Sequence, residues 1–265
     1  MYKLLLITDR DDIKDAFNRV EDWAQLMFHP VAICSSVAEG LAFLEAHPID
    51  AMGYSMTGAD VGPLHQYLAA HPSLPVFQTH KHVDTLRDEL NRVRRFLDRM
   101  HLDDSDTPLT NAEVLQLLRD ELMKDLLSGS IESEKDLLSR VKLSRANISL
   151  KHRCYVYEFD LPQGEIYLQD RWRYGADRLE NALRNNFFGR VVDDIYYDVR
   201  VLTPRHIRVF ACPRMDSPLT DPESLKLVKR HVPDAIARIK DYLDLDLEME
   251  KMVKLGSLKE LMKYR

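Results

Sequence analysis

Residues 110–160 read TNAEVLQLLRDELMKDLLSGSIESEKDLLSRVKLSRANISLKHRCYVYEFD, and the rest of the chain is organised around this stretch. Thr110 and Glu113 have the spacing of a helix capping box, and the apolar residues that follow recur every three or four positions. The stretch ends in CYVYEFD, whose aromatic and β-branched residues are typical of a β-strand. It therefore predicts a helix, a short helical elbow and the first strand of a second domain.

The composition predicts a soluble, folded protein. The chain has 265 residues, enough for two ordinary domains, and its apolar share of 45% is sufficient for two cores. A formal net charge of −6 argues against a dedicated nucleic-acid surface. The three cysteines are too far apart for a zinc site, so buried thiols are expected. With no signal peptide and no long apolar run, the sequence predicts a cytoplasmic protein without membrane contact.

The residues before this stretch alternate between strand-like and helix-like patterns. KLLLIT at residues 3–8 is a continuous apolar run, as in a strand buried on both faces of a parallel sheet. Further strands are predicted at residues 30–34, 50–54 and 75–79, and helices at residues 11–23, 36–47 and 62–70. This β-α-β-α-β-α-β order predicts an α/β fold in which helices cover a doubly wound parallel sheet.

The order and spacing of these elements resemble the receiver domain of response regulators, which has a flavodoxin-like fold. In that family two acids after the first strand hold magnesium, an aspartate after the third strand accepts phosphate, and Ser or Thr follows the fourth. By this resemblance, the positions fall on Thr8 and Asp9, on Ser55 and on Thr79. One acid, the phosphate acceptor and the family's fifth strand with its lysine are missing. We therefore expect a pseudo-receiver domain at residues 1–105 that works without phosphorylation.

Two helices are predicted between the domains. The first carries a heptad-like seam, and the second, within residues 106–130, has an apolar face and ends near Gly129. Acids, Ser and Pro at residues 101–108 predict a loop between them, with a hinge at residues 105–108. The two helices either form a homodimer and couple the domains, or pack on their own domains. The positions concerned are Leu86, Leu90, Val93, Leu97 and Met100 in the first helix, and Leu115, Leu118 and Leu122 in the second.

The residues after the organising stretch predict a second domain of mixed structure. Strands are predicted at residues 154–161, 195–202, 206–212 and 245–249, and helices at residues 133–143, 175–188 and 221–243. From the first strand onward, the β-α-β-β-α-β order is that of a ferredoxin-like α+β fold. We assign residues 131–250 to this domain and residues 251–265 to the start of a C-terminal linker helix.

This order, with LLSGSIESEKDLLSRV leading into YVYEFDLP, resembles the degenerate GGDEF-like, or cyclase-like, middle domain of some AraC-type response regulators. Those proteins continue into a helix-turn-helix pair that binds DNA. Active cyclases hold metal ions with carboxylates on the first strand and on the central hairpin. The resemblance places Glu158 and Asp160 on the strand, but the hairpin LTPRHIRVF has no acid at its tip. Two-metal chemistry then lacks half of its ligands, so we expect no enzyme activity, no metal and no cofactor.

A cationic and aromatic run precedes the helix predicted from residue 175. Arg171, Trp172, Arg173 and Tyr174 could hold a phosphate or a nucleotide base at the helix N-terminus, with Asp160 as a further contact. The alternative is an ordinary loop that Trp172 anchors in the core. The ten histidines do not have the spacing of a metal site.

The two resemblances imply a non-catalytic regulatory region of an atypical response regulator of the AraC type, which controls transcription. It would act by conformational or dimer-mediated coupling, and DNA would be bound only by a C-terminal domain that follows Arg265. Two alternatives stay open. One is a protein that regulates by binding a partner protein without binding DNA, and the other is a divergent enzyme that binds a nucleotide at residues 171–174. The sequence identifies neither the signal nor the target genes.

Overall fold

The computed structural model describes residues 1–101, 110–131, 133–171 and 175–264. It confirms a mixed α/β protein and divides the chain into two compact units. The first unit comprises Met1–Glu121 and Lys135–Ala146, and the second comprises Leu122–Glu134 and Asn147–Arg265. Each unit contains one β-sheet.

The first unit contains the predicted parallel sheet. Its strand order is β2-β1-β3-β4, with β1 and β3 in the middle. Central strands of a parallel sheet are covered on both faces, which explains why all residues of β1 are buried and all but its last, Thr8, are apolar. No fifth strand follows β4 in the part of this unit that the structure describes. The strands are β1 (Leu4–Thr8), β2 (Ala32–Cys34), β3 (Ala51–Ser55) and β4 (Val76–Phe77).

Helices cover both faces of this sheet. Because successive side chains of β1 point to opposite faces, they pack against different helices. Leu4 and Leu6 pack in a core with residues of the first and fourth helices. Leu5 and Ile7 pack in a second core with residues of the second and third helices. The helices are α1 (Asp11–Asn18), α2 (Val37–Ala46), α3 (Gly62–Ala70), α4 (Val83–His101), the first part of α5 (Asn111–Ser128) and nearly all of α6 (Glu134–Leu143).

The heptad-like seam of α4 is buried inside the first unit. Met100, its most exposed member, is only 6% exposed, and Leu86, Leu90 and Val93 are fully buried. These residues share a core with α1 and with Leu115 and Leu118 of α5, whereas Leu122 is buried in the second unit. The residues of the seam therefore follow the second interpretation, packing on their own unit. A homodimer stays a prediction, and it would need a surface other than these side chains.

The second unit is built on an antiparallel sheet with the strand order β6-β7-β8-β5-β9. The strands are β5 (Cys154–Asp160), β6 (Val191–Val192), β7 (Ile195–Thr203), β8 (His206–Pro213) and β9 (Glu248–Leu255). The helices are α7 (Gly164–Ile166, continued by the π-helical Tyr167–Arg171), α8 (Ala176–Ala182, continued by the π-helical Leu183–Phe188), α9 (Asp221–Leu243) and α10 (Leu258–Leu261). Side chains of β5, β7 and β8 pack with α8 and α9 in one core.

The units divide the chain at places that differ from the predicted boundaries. Most of α6 belongs to the first unit rather than to residues 131–250, because Leu143 joins the first core and Ser139 bonds to α4. Residues 251–255 are not part of a linker helix, because they pair with β5 as the second half of β9. Of the loop predicted at residues 101–108, His101 is the last residue of α4, and residues 102–108, which include the predicted hinge, lie outside the described residues. Within the described ranges, none of the helices combines the length and apolar character needed to cross a lipid bilayer.

Candidate functional site

The ends of β1 and β3 meet at the carboxyl edge of the parallel sheet, where the receiver-like pocket is predicted. Thr8 and Ser55 are direct partners in the register of these strands. The hydroxyl of Thr8 is fully buried, donates to the carbonyl of Ser55 at 2.6 Å and accepts from the N–H of Arg10 at 3.2 Å. The residue at the first acid position therefore holds two strand ends together.

Asp9, the surviving acid of the predicted pair, is bonded to the turn after β3. Its two carboxylate oxygens accept the N–H of Thr57 at 2.9 and 3.0 Å, and one of them also accepts the Thr57 hydroxyl at 2.9 Å. The bond from the Thr57 N–H is the main cause that lowers the pKa of Asp9 below its ordinary 3.8. This carboxylate fixes the turn rather than standing free to bind a metal ion.

Thr79 does not join this group through a hydrogen bond. It lies two residues after β4, and its side chain has no hydrogen-bond partner among the residues that the structure describes. The structure thus brings Thr8 and Ser55 together, with Asp9 next to Thr8 in the chain, and shows no hydrogen bond from Thr79 to any of them.

A buried acid that the sequence analysis does not single out lies beside β4. Glu89 of α4 is 1% exposed, accepts the Gln78 N–H at 3.2 Å and the Ser139 hydroxyl at 3.0 Å, and pairs with Arg92 at 3.3 Å. Gln78 directly follows β4, the strand at the edge of the sheet. The Glu89 carboxylate therefore accepts an N–H group that a further strand would otherwise bind. The signal in the sequence is an acid next to Leu90, inside the heptad-like seam.

In the second unit, Glu158 of β5 is part of a buried ion pair. It is 1% exposed and contacts the Arg208 Nε at 2.9 Å and the His206 Nε2 at 2.8 Å. Arg208 also donates from Nη1 to the carbonyl of Leu127 at 2.6 Å, and its guanidinium lies over the ring of Tyr264 at 4.9 Å. Both carboxylate oxygens of Glu158, the first of the two cyclase-like acids, are therefore already bonded to side chains of the same chain.

Asp160, the second of these acids, is bonded to the central hairpin. Arg205 donates to its two oxygens at 2.8 and 3.3 Å. The hairpin therefore supplies a cation where an active cyclase supplies a further carboxylate. Across the described ranges, no group of three or more His, Cys, Asp or Glu side chains is arranged to hold a metal ion.

Two further buried acids lie beside β7. On the side of β7 away from β8, the strand pairs only with the two-residue strand β6. Glu180 of α8 accepts the Val201 N–H at 2.8 Å and pairs with Arg200 at 2.6 Å. Burial raises the pKa of Glu180, while the Val201 N–H and Arg200 oppose that rise. Asp198 is 2% exposed and pairs with Arg184 at 3.5 Å. These acids satisfy and neutralise polar groups along the strand edge.

The predicted cationic and aromatic patch can be placed only at Arg171. Trp172, Arg173 and Tyr174 lie outside the described residues. Arg171 lines a cavity of about 210 Å³ between the end of β5 and the start of β9. Its guanidinium pairs with Asp244 at 3.2 Å, and Asp160 is bonded to Arg205 instead. Arg171 and Asp160 are each engaged with another partner.

The three cysteines are free and buried, as predicted. Burial raises the pKa of the Cys154 thiol to about 12 and that of Cys212 well above its ordinary 9.0. It also raises the pKa of Cys34. Because the thiolate is the reactive form, these side chains are inert packing residues rather than nucleophiles.

Comparison with protein-family models finds no match to this chain. A search of curated proteins likewise finds no similar sequence. The function of the chain therefore has to be inferred from its residues and their geometry.

Proposed function

We propose that this chain is a non-catalytic regulatory region of an atypical response regulator, which controls transcription without being phosphorylated. One observation carries the proposal: the acids at the positions where active relatives hold metal ions are bonded inside the chain. Asp9 is bonded to Thr57, and Glu158 and Asp160 are bonded to arginines. The phosphate-acceptor position holds Ser55, whose hydroxyl cannot form the acyl phosphate that an aspartate forms.

The strand orders support the same proposal. The order β2-β1-β3-β4 is that of a flavodoxin-like sheet without its fifth strand. In the second unit the first long strand, β5, lies between the third and the fourth, β8 and β9, which is the ferredoxin-like arrangement. A pseudo-receiver followed by a degenerate cyclase-like domain is the composition that the resemblance to AraC-type regulators implies.

A regulator of this kind acts through conformational populations rather than chemistry. A ligand or partner that binds one conformation better than another shifts the equilibrium by that difference in affinity. Helix α5 is the element through which a shift would pass, because Leu118 belongs to the core of the first unit and Leu122 is buried in the second.

The test compares transcripts in cells that lack the gene with transcripts in the same cells complemented by the natural gene product or its variants. We expect the deletion to change a defined set of transcripts, and the natural product, Ser55→Ala and Asp9→Asn to restore it. Leu90→Ala, which damages the first core, should fail to restore it. A deletion that leaves all transcripts unchanged would reject transcription control. A folded Ser55→Ala protein that fails to restore them would reject independence from phosphorylation.

Enzyme activity is tested separately on the purified protein with magnesium and either GTP or ATP. We expect no turnover, because the acids at the cyclase-like positions are paired with Arg208 and Arg205. Turnover that disappears in Asp160→Ala would contradict the non-catalytic assignment and would favour a divergent nucleotide enzyme.

A further inference from the structure

The second sheet has one long open edge. Of its two edge strands, β6 contains only two residues, whereas β9 (Glu248–Leu255) contains eight. One side of β9 pairs with β5 over nearly its whole length. On the other side, no strand that the structure describes pairs with β9, and its backbone makes no hydrogen bond there with a described residue. A free edge of this length is a template for a strand of another chain.

The outer side of β9 is accessible and suited to pairing. Residues 248–251 are exposed, and the exposed fraction of Met249 is 60%. The strand contains no proline, whose missing N–H would interrupt a ladder of hydrogen bonds. In the register with β5 one residue, Glu250, is skipped, and pairing continues on both sides of it. This bulge bends the strand without ending it.

The charges of β9 are divided between its two halves. Glu248 and Glu250 lie in the first half, and Lys251 and Lys254 lie in the second. Neither glutamate forms a salt bridge with a residue that the structure describes, and the same holds for Lys254. Charged edges normally exclude other strands, because a partner without matching charges would leave them unpaired. The pattern therefore favours a strand whose charges run in the opposite order.

A second copy of β9 has this opposite order when it runs antiparallel to the first. Its basic half then lies beside the acidic half of the first copy, and the twofold symmetry repeats these contacts at the other end. A parallel copy would place like charges side by side, which is unfavourable. The exposed Met249 side chain would be partly covered by the partner strand, which adds a hydrophobic contribution.

We propose that two copies of this chain associate through antiparallel pairing of their β9 strands, which joins the two five-stranded sheets into one. The backbone hydrogen bonds of the new ladder would supply affinity, and the divided charges would supply the choice of partner. The seam of α4 is buried and cannot serve as the surface of a homodimer, whereas β9 can. The proposal does not depend on transcription control or on the loss of catalysis.

The first measurement is the mass of the full chain by analytical ultracentrifugation at about 1–100 μM, a range that brackets the affinity expected for a small interface of one strand from each copy. We expect the weight-average mass to rise with concentration from 30.9 kDa towards twice that value. Hydrogen exchange at the two ends of this range locates the contact. The amides of Glu248–Leu255 should exchange more slowly at the higher concentration, because the partner's carbonyl groups bind the outward-facing N–H groups.

Two charge reversals test the pairing of unlike halves. Glu250→Lys and Lys254→Glu should each weaken association by about tenfold or more, because each reversed charge enters the twofold interface twice. An equal mixture of the two variants should associate again, since one edge is then mainly basic and the other mainly acidic. Glu45→Lys on α2 and Lys229→Glu on α9 make the same changes of net charge at exposed positions elsewhere and should leave association unchanged.

The outcomes decide between this surface and the alternatives. A mass of 30.9 kDa at every concentration would overturn the proposal in favour of a partner strand from a different protein. A dimer that tolerates both reversals, or whose β9 amides exchange equally fast at both concentrations, would also overturn it, because another surface would then hold the copies together. Association of the mixture shows that both variants are folded. If either variant does not fold, hydrogen exchange of the natural protein decides.

Discussion

At the scale of single residues, buried acids of this chain accept backbone N–H groups that a neighbouring strand would otherwise bind. Glu89 accepts the N–H of Gln78 beside β4, and Glu180 accepts the N–H of Val201 in β7. Each of the two acids also pairs with an arginine. A buried carboxylate is tolerated when it is both hydrogen-bonded and paired, so these residues stabilise sheet edges rather than serve chemistry.

Removing one of these acids should therefore damage the fold. Glu89→Ala leaves Arg92 and the Gln78 N–H without their acceptor in a buried place, and we expect it to lower the free energy of unfolding by ~3 kcal/mol. Glu45→Ala on the exposed face of α2 is the matched control and should change it by less than ~0.5 kcal/mol. Urea unfolding followed by circular dichroism measures both. Equal, small effects would contradict the role of Glu89.

Asp9 should make stability depend on pH in a defined direction. Its pKa is lowered in the folded protein, so its ionised form stabilises the fold above the unfolded pKa, and this contribution is lost as the pH falls through the folded pKa. Asp9→Asn should therefore melt below the natural protein at neutral pH, and the difference should shrink below pH ~4. Asp241→Asn, at an exposed position of α9, should show no such convergence. A difference that stays constant with pH would contradict the role of the Asp9–Thr57 bonds.

At the scale of elements, α4 shows how a heptad-like spacing can arise without a second helix from another molecule. Its seam packs on α1 and β1 inside the first unit. In receiver domains a fifth strand follows the helix after the fourth strand, whereas here the next element that the structure describes after α4 is α5. A helix that covers a sheet also needs an apolar stripe along one side, and over a short helix this stripe contains the a and d positions of a coiled-coil seam, so the heptad-like spacing alone does not distinguish the two.

Two leucines test this assignment of α4. Leu90 is fully buried, and Leu90→Ala should lower the free energy of unfolding by ~3 kcal/mol without changing the mass measured by light scattering. Leu117 of α5 is 55% exposed, so Leu117→Ala should have little effect on unfolding. A Leu90→Ala protein of unchanged stability but altered oligomeric state would support the dimer interpretation instead.

At the scale of the whole molecule, the two units exchange segments along the chain. Residues 122–134 belong to the second unit, and residues 135–146 return to the first. The first core therefore includes Leu143 and the bond from Ser139 to Glu89, which come after the start of the second unit. A description as two consecutive domains misses this return.

Fragments of the chain measure what the returning segment contributes. A fragment of residues 1–146 contains all of the first unit, whereas one of residues 1–134 lacks Ser139 and Leu143. We expect the shorter fragment to unfold at a free energy lower by ~3 kcal/mol or more, because it loses a buried leucine and a buried hydrogen bond. Urea titrations of both fragments give the comparison. Equal stabilities would place α6 outside the first core.

The sequence predicts elements well where a local pattern governs them. The capping box of Thr110 and Glu113 forms as expected, and α5 ends before Gly129, which has a φ of 75°. The strand predicted at residues 245–249 instead occupies Glu248–Leu255. This strand lies at the edge of its sheet and is largely exposed, so its sequence lacks the apolar alternation of a half-buried strand.

The buried charges could not be predicted in this way. Glu89 meets Ser139 from 50 positions away in the chain, and Arg208 meets Leu127 from 81 positions away. Acids and arginines are mostly found at surfaces, so their burial depends on a tertiary partner that no short window contains. The sequence identifies Asp9, Glu158 and Asp160 as candidates, but only the structure shows that each is bonded within the chain.

The return of residues 135–146 to the first unit also restricts how such a protein can be assembled by recombination. Domains are usually shuffled by crossovers in the linkers between them. Here every single crossover between residues 121 and 147 leaves at least one core with residues inherited from both parents. Either Leu143 or Leu122 would then pack against a foreign partner. We therefore expect the first and second units to be inherited together, and substitutions in one parent's core segments to be accompanied by matching substitutions in the segments that pack against them.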